Sequence, residues 1–327
     1  MLHLRIQTPS ARTEEVLGLI HKTVGTTHVA LLPGASLEPE GDIVMCDVAR
    51  EAADGLLQQL RERGLCDEGA VAVDHVDLSL SKRADQAERD APGEGADAVV
   101  WESLVEETHE ESTLSVTFVA MLTLATLLAA CGVMIDSAIL IVGAMAVGPE
   151  FGPLAGMCVA LVQRRPRLVA RSLIALLAGF AAAMLFTLGF SQLMDALGYF
   201  TVGHLQSGDR PQTAFITNPD AFSFIVALLA GAAGTLSLTS SKSGALVGVA
   251  ISVTTVPAAA NAAIALSYSN FSQARGSTEQ LLLNLLGIVV AGTLTLLIQK
   301  LYWSIQHETV IQHLRRAART QKTHGHL

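Results

Sequence analysis

Charged residues are scarce in this chain, and the shortage is concentrated after residue 112. Only 16% of the 327 residues are Asp, Glu, Lys or Arg, against roughly 25% in an average soluble protein. Residues 1–112 are rich in charge, whereas the stretch from Leu114 to Gln163 carries only Asp136 and Glu150. The asymmetry predicts a soluble N-terminal part followed by a part that lies in the lipid bilayer. The net charge of −9 argues against a nucleic-acid partner.

Signatures of metal sites, disulfides and catalysis are also missing. The four cysteines are widely spaced with no CxxC pair, so we expect neither a disulfide framework nor a zinc site. The first residues, MLHLRIQTPSARTEE, lack the apolar core of a signal peptide, which predicts an N-terminus that stays in the cytoplasm. No hydrolytic triad, HExxH motif or P-loop occurs. We therefore expect no enzymatic activity, no metal and no cofactor.

Residues 1–80 combine strand and helix patterns. Apolar and polar residues alternate in four segments, which we predict to be strands: LHLRIQT, THVALLPG, GDIVMCDVA and AVAVDHVDLSL. Two segments with helical spacing lie between them, ARTEEVLGLIHKTV after the first strand and AREAADGLLQQLRERGL after the third. Gly64 is predicted to cap the second helix. The order βαββαβ predicts a cytoplasmic ferredoxin-like domain.

The expected role of this domain follows by exclusion. A ferredoxin-like metal chaperone needs paired cysteines in the loop after its first strand, where this chain has TPSART. His21 and His75 are isolated in the sequence and are interpreted as surface or structural histidines. A regulatory or oligomerisation role is left, with the chain forming a homo-oligomer.

Residues 81–112 connect the two parts. The segment SKRADQAERDAPGEGADA is charged and has no apolar period, which predicts a flexible or loosely helical linker. The following WESLVEETHEEST places Trp101, Leu104, Val105 and Thr108 on one helical face, as a juxtamembrane helix would. Its acidic run is interpreted as a solvated face rather than a cation site.

Six apolar segments follow within residues 113–305, each long enough for a spanning helix of about 20 residues. They are 114–135, 136–165, 173–193, 221–239, 244–267 and 281–298. A basic tail, residues 306–327, follows the last segment, and four arginines lie between the second and third: Arg164, Arg165, Arg167 and Arg171. Because Lys and Arg favour the cytoplasmic side, we predict six spans in the inner (cytoplasmic) membrane with both termini in the cytoplasm. The arginines could also bind anionic lipid head groups, although topology alone explains them.

The second segment is interrupted at its centre. Its middle reads Gly148, Pro149, Glu150, Phe151, Gly152, Pro153. Proline removes a backbone donor and glycine weakens a helix, and lipid tolerates such a break only where protein or water satisfies the freed groups. A carboxylate in an interrupted span is a candidate functional site, with Glu150 as the proton-titrating or cation-binding group. The alternative is a kinked packing helix with Glu150 nearer an interface. Asp136, at the outer end of the segment, is predicted to cap its N-terminus.

The fifth segment has a similar pattern. GALVGVAISVTTVPAAANAAIALS contains a Thr254–Thr255 pair, Pro257 and Asn261, and setting Pro257 against Pro153 aligns the two segments without gaps. Three spans followed by three more form an inverted repeat, whose interface commonly holds a substrate or ion site. Gly- and Ala-rich spans also align by chance and serve ordinary helix packing. The predicted pathway residues are Gly148, Pro149, Glu150, Gly152, Pro153, Thr254, Thr255, Pro257 and Asn261.

Two stretches, IVGAMAVGPEFGPLAGM (141–157) and GALVGVAISVTTVPAAAN (244–261), resemble the DUF389 membrane proteins of bacteria and archaea. The resemblance covers most of residues 115–300 and implies an integral membrane protein, commonly with a variable N-terminal companion domain. The family name records no defined function. Glu150 stands where the family pattern usually has an apolar residue, and Ala258 stands where a second proline is common.

Two functions remain open. One is a transporter or channel for an ion or small polar solute, regulated or assembled by the N-terminal domain. The other is a non-transporting membrane anchor or lipid-binding scaffold for that domain. They differ in whether the second and fifth segments enclose a polar site. A membrane enzyme that acts on lipid lacks a convincing catalytic constellation in this sequence.

Overall fold

A computed structural model describes residues 1–76, 78–91, 98–200, 221–240 and 255–324, with side chains as far as Tyr302. The chain divides into two compact units. One is built on Met1–Leu104 and also includes Thr239–Ser241 and Lys300–Leu327, and the other contains Val105–Leu238 and Lys242–Gln299. The division separates the charged N-terminal part from the apolar helices, close to where the charge pattern changes.

The first unit is built on a four-stranded antiparallel sheet. Its strands lie in the order β2-β3-β1-β4 and are β1 (Leu2–Thr8), β2 (Thr26–Leu37), β3 (Glu40–Val48) and β4 (Ala70–His75). Leu2, Leu4 and Ile6 of β1 are buried and the residues that alternate with them are less so. The four predicted strands are present, although β4 ends at His75 instead of continuing to Leu80.

Two helices contribute the rest of this unit's core. They are α1 (Thr13–Lys22) and α2 (Arg50–Glu62), and their buried leucines and valines join the buried side chains of β1 and β3 in one apolar cluster. Gly64 follows α2 with a φ of +71°, a left-handed conformation that glycine adopts without steric cost and that commonly ends helices. The predicted helix end at Gly64 therefore agrees with the structure. A single helical turn, α3 (Leu65–Glu68), leads into β4.

Asp42 ties three segments of the first unit together. Its carboxylate accepts hydrogen bonds from Thr13 Oγ1 at 2.6 Å, Ser10 Oγ at 2.8 Å and the Gly34 amide at 2.9 Å. These bonds, the one from Thr13 most of all, stabilise the ionised form and lower the pKa of Asp42 below its ordinary value. The start of α1, the end of β2 and the start of β3 are therefore held together by one negative charge.

We expect the stability of this unit to decline in acid because of Asp42. Its folded pKa is lower than its unfolded value of about 3.9. The stabilisation is therefore present above about pH 4 and is lost as the pH falls through the folded pKa. In Asp42→Asn this contribution is absent at every pH, so the urea midpoint should be lower at neutral pH and should change less in acid.

The buried thiol of Cys46 provides the measurement. Cys46 is fully buried in the sheet, and burial raises its pKa to about 12, so it should react with a thiol reagent only after unfolding. Its labelling by a pyridyl disulfide, a reagent that reacts with thiols in acid as well as at neutral pH, is read by peptide mass in a Cys66→Ser background. It gives the urea midpoint of the sheet in the full chain. A wild-type midpoint that is flat between about pH 7 and pH 2 would contradict the role of Asp42.

Two helices precede the apolar part of the chain. The first, α4 (Lys82–Asp90), is capped by the Ser81 hydroxyl, which accepts hydrogen bonds from two backbone N–H groups. The predicted linker is thus helical over these residues. The second, α5 (Trp101–Glu111), lies where a helix was predicted, and its Leu104, Val105 and Thr108 are buried as the predicted face requires.

The described residues of the apolar part form seven helices. They are α6 (Val116–Met134), α7 (Ala138–Val147), α8 (Phe151–Val162), α9 (Pro166–Ala196), α10 (Ala221–Thr239), α11 (Val256–Ser267) and α12 (Phe271–His324). Helices α6, α9, α10 and the Phe271–Tyr302 part of α12 are each long and apolar enough to cross a membrane. They correspond to the first, third, fourth and sixth predicted segments, and α6 is shorter than the first by two residues at its start and one at its end.

The described residues therefore contain four helices that could span a membrane, or five if α7 and α8 together form one span. The fifth predicted segment is represented by α11 alone, because residues 244–254 lie outside the described residues. The arrangement of six spans in an inverted repeat stays a prediction.

Helix α11 lies in the interior of the helical unit. Every residue from Val256 to Ala265 is buried, and a helix that is buried on all sides has protein all round it. Its sequence is rich in alanine, which lets neighbouring backbones approach closely. Its described neighbours include α6 and α9.

The predicted cap of the second segment is wrong. The N-cap of α7 is Ser137, whose hydroxyl accepts a hydrogen bond from the Leu140 amide at 3.3 Å. Asp136 lies one residue earlier, with a φ of +49°, in the turn that reverses the chain after α6. Aspartate and serine are about equally favoured as N-caps, but aspartate also tolerates the left-handed conformation that the turn requires. Asp136 therefore occupies the turn, and Ser137 caps the helix.

Candidate functional site

Three residues join α7 to α8 at a bend of 56°: Gly148, Pro149 and Glu150. Pro149 has no N–H and cannot continue the hydrogen-bond ladder of α7. The last carbonyl groups of α7 and the first N–H groups of α8 both lack intrahelical partners. Acceptors from one helix and donors from the other therefore meet at the bend, as the proline and glycine pattern predicts.

The Glu150 carboxylate lies at this bend and is completely buried. Its Oε1 accepts a hydrogen bond from Thr255 Oγ1 at 2.8 Å. Its Oε2 lies against Gly148, where an added Cβ would collide with it and would also come within 3.1 Å of Val256 Cγ2. Glycine at position 148 therefore leaves the space in which the carboxylate reaches the start of α11.

The contact joins the starts of two short helices. Thr255 is the residue immediately before α11, and Pro257 lies in the first turn of that helix. Glu150 holds the same position before α8, with Pro153 in the first turn. Two helix N-termini therefore meet at one buried carboxylate and one buried hydroxyl.

The helix ends around Glu150 carry partial charges of both signs. The N-terminal ends of α8 and α11 each carry about +0.5 of an elementary charge, and the C-terminal end of α7 carries about −0.5. The positive ends favour an ionised carboxylate, whereas the carbonyl groups of α7 and the carboxylate together attract a cation. The arrangement is chemically suited to binding a cation or exchanging a proton.

Asn261 lies further along α11, six residues from Thr255, which corresponds to about 9 Å of helix. Its Nδ2 donates to Ser277 Oγ at 2.7 Å, and its Oδ1 accepts from Gln273 Nε2 at 3.3 Å. Both of its amide atoms therefore bind residues of α12. The structure does not bring Asn261 into contact with Glu150. Asn261 is connected to the Glu150 site only because it lies on the same helix, α11, as the residues that follow Thr255.

The first turns of α8 also contact the end of α5. Gly152 and Gly156 have no room for a Cβ because Glu111 packs against the first and Ser112 against the second. Burial raises the pKa of Glu111, and the neighbouring Glu107 raises it further. A second carboxylate, on α5, therefore packs at the start of α8.

A comparison with known protein families covers this region. Residues 145–290 match the model of a domain of unknown function, DUF389. This part of the chain is therefore similar to proteins of the DUF389 family. The chain is 27% identical over 201 residues to the uncharacterized protein MJ0678 of Methanocaldococcus jannaschii. That match covers 62% of this chain and 60% of the relative's length. No solved structure matches the chain.

The DUF389 segment contains all the predicted pathway residues. Around the Glu150–Thr255 contact, Pro149 is half-buried and Pro153 and Pro257 are buried. Thr254 lies outside the described residues. The second and fifth segments therefore meet at residues that the sequence pattern singled out.

The four arginines of the DUF389 segment differ in their surroundings. Arg164 and Arg167 are exposed, and Arg165 is half-buried. Arg171 contacts His109 Nε2 at 2.6 Å and donates a hydrogen bond to the Thr113 hydroxyl. Arg171 thus joins α9 to the end of α5.

Sequence reasoning missed a set of polar residues on α12. Ser277, Gln280 and Asn284 have exposed fractions of 0%, 3% and 0%. They lie three and four residues apart and so share one helix face. This spacing is visible in the sequence, but an apolar window that begins at Leu281 excludes the first two of them.

Proposed function

We propose that this chain is a membrane transporter or channel for an ion or a small polar solute, and that Glu150 is its cation-binding or proton-exchanging group. The observation that supports this is the hydrogen bond between Glu150 and Thr255, which joins the broken second segment to the start of α11 inside the helical unit. Discontinuous helices that meet in this way commonly form the ion sites of transporters.

The cost of burying Glu150 favours transport over a simple anchor. A buried carboxylate costs free energy unless it is hydrogen-bonded or paired. An anchor needs only apolar spans that pack, and an apolar residue at position 150 would serve that purpose. Instead, glycine at position 148 and the N-terminal ends of two helices make room for a charged side chain. Ionisable residues within membrane segments commonly mark an ion or substrate pathway.

We propose that the N-terminal unit is a ferredoxin-like domain that regulates the membrane part or assembles it into a homo-oligomer. Its element order βαββαβ and its strand order β2-β3-β1-β4 support that fold. The basic residues between α8 and α9 and after Tyr302 support a placement of both termini in the cytoplasm, with the spans in the inner membrane. No enzymatic activity is part of this proposal.

Flux into proteoliposomes tests the proposed function. The purified full chain is assayed against a panel of monovalent cations, anions and small polar solutes, together with Thr255→Val. Valine removes the hydroxyl that binds Glu150 while keeping nearly the same volume. Because a hydrogen bond to a charged group contributes about 1.5–3 kcal/mol, we expect the flux to fall by roughly tenfold or more.

Thr187→Val is the matched control. Thr187 is equally buried and donates to Thr126 Oγ1 at 3.0 Å, between α9 and α6. The same substitution there removes a buried hydroxyl without touching Glu150, so flux should stay within about twofold of wild type. Absence of flux for every solute would favour the anchor or lipid-scaffold function, and equal losses in both variants would mean that the Glu150–Thr255 contact has no special role.

A further inference from the structure

A line of polar residues runs along one face of α12. Gln273, Ser277, Gln280 and Asn284 follow one another at intervals of four, three and four residues, which keeps them on a single face of the helix. Gln273 and Ser277 bind the two amide atoms of Asn261 on α11. This face of α12 is therefore turned toward α11.

Gln280 differs from the residues that precede it. Its exposed fraction is 3%, and no described residue donates a hydrogen bond to its Oε1. Burying an amide oxygen without a partner is unfavourable. A leucine or methionine would fill this place without that penalty, so the glutamine calls for a functional reason.

The hairpin register places this face at the same level along α11 as the Glu150 site. α11 ends at Ser267 and α12 begins at Phe271, so a short turn makes the two helices antiparallel. The bond between Asn261 and Ser277 sets the level of each helix against the other. Equal numbers of residues counted from that bond place Gln280 level with Ala258, three residues from Thr255, which binds Glu150. Asn284 falls level with the residue that precedes Thr255.

We propose that Gln280 and Asn284 extend the Glu150 site along α12, and that the site takes a dehydrated monovalent alkali cation. The inference rests on the proposed function, since it names the ligand class of the same site. The amide oxygen of Gln280, the hydroxyl of Thr255 and the carboxylate of Glu150 are hard oxygen ligands, which suit alkali and alkaline-earth cations.

Charge balance selects the monovalent class. Among the described residues of the helical unit, Glu150 is the only fully buried charged side chain. One negative charge in a medium of low dielectric constant compensates one positive charge, whereas a divalent cation would leave a buried charge uncompensated. Neutral amide oxygens then replace the water that the cation gives up.

Cation-dependent thermal stability of the purified full chain tests the proposal without requiring transport. Melting temperatures are measured in detergent with roughly 100 mM lithium, sodium, potassium or choline chloride, choline serving as the cation that is too large to bind. We expect at least one alkali cation to raise the melting temperature of wild type by about 3 °C or more over choline. Gln280→Leu should lose that increment and should melt higher than wild type in choline, because its buried oxygen has been removed.

Two variants keep the test decisive. Gln280→Met is closer in shape and replaces Gln280→Leu if leucine prevents folding. Gln192→Leu makes the same change at an exposed position of α9 and should keep the full cation increment. Equal melting temperatures of wild type in all four salts, or an unchanged increment in Gln280→Met, would overturn the inference.

The flux assay separates this inference from the proposed function. Flux of a neutral solute without any cation increment would overturn the cation site and leave transport standing. A cation increment that depends on Gln280, in a protein without flux, would support the site and remove transport.

Discussion

Glu150→Gln is expected to lower solute flux in proteoliposomes by at least about a hundredfold while the protein stays folded. Glutamine keeps the length of the side chain, and its Oε1 can still accept the hydrogen bond from Thr255 Oγ1, which spans 2.8 Å in the wild type. The space beside Gly148 also stays filled. What the substitution removes is the ability to carry a negative charge. A loss of flux with an unchanged melting temperature therefore measures the contribution of that charge alone.

Glu279→Gln is the control for this experiment. Glu279 lies on α12 in the same helical unit, is exposed, and pairs with Arg275 at 2.7 Å. Exposed ion pairs of this kind contribute at most about 1 kcal/mol, so both flux and stability should stay close to wild type. Wild-type flux in Glu150→Gln would show that the carboxylate only packs the bend, and the proposal of a charged site would then fail.

The fold was predictable where one local signal decided the outcome. Alternation of apolar and polar residues identified β1 to the residue, because one face of that strand is buried in a core and the other is not. β4 is shorter than predicted, since alternation also continues into residues that do not pair with the sheet. Prolines and glycines identified the break between α7 and α8, because a missing N–H interrupts a helix wherever it lies.

The site was harder to predict because its contacts join distant parts of the chain. Thr255 binds Glu150 across 105 residues. The break in the second segment pointed to Glu150 by itself, whereas Thr255 was found only because the fifth segment has a similar pattern. The same pattern predicted Asn261 as a pathway residue together with Thr255, yet the Asn261 amide binds Ser277 and Gln273 and does not contact Glu150. Gln280 was missed because its burial depends on packing against other helices, which the sequence of its own segment does not reveal.

The close packing of small residues has a direct consequence at Gly231 of α10. A Cβ added at this position would lie 2.5 Å from the Ile288 carbonyl oxygen and 2.8 Å from the Ile288 Cα on α12. Both obstacles are backbone atoms, so no side-chain rotation can relieve them. α10 and α12 approach each other at this point as closely as membrane helices do where a glycine lies at the contact.

Gly231→Ala should therefore destabilise the protein by about 1–3 kcal/mol, because α10 and α12 must separate to admit one methyl group. Helix propensity alone predicts the opposite, since alanine is favoured over glycine by about 1 kcal/mol in a helix. Gly189→Ala on α9 measures the helix-propensity effect alone, because an added Cβ there meets nothing within 4 Å. Thermal unfolding of both variants in detergent should show Gly231→Ala melting below wild type and Gly189→Ala at or above it. If Gly231→Ala melts with or above Gly189→Ala, the helices do not approach through this glycine, and the packing that places α12 beside α10 would need to be revised.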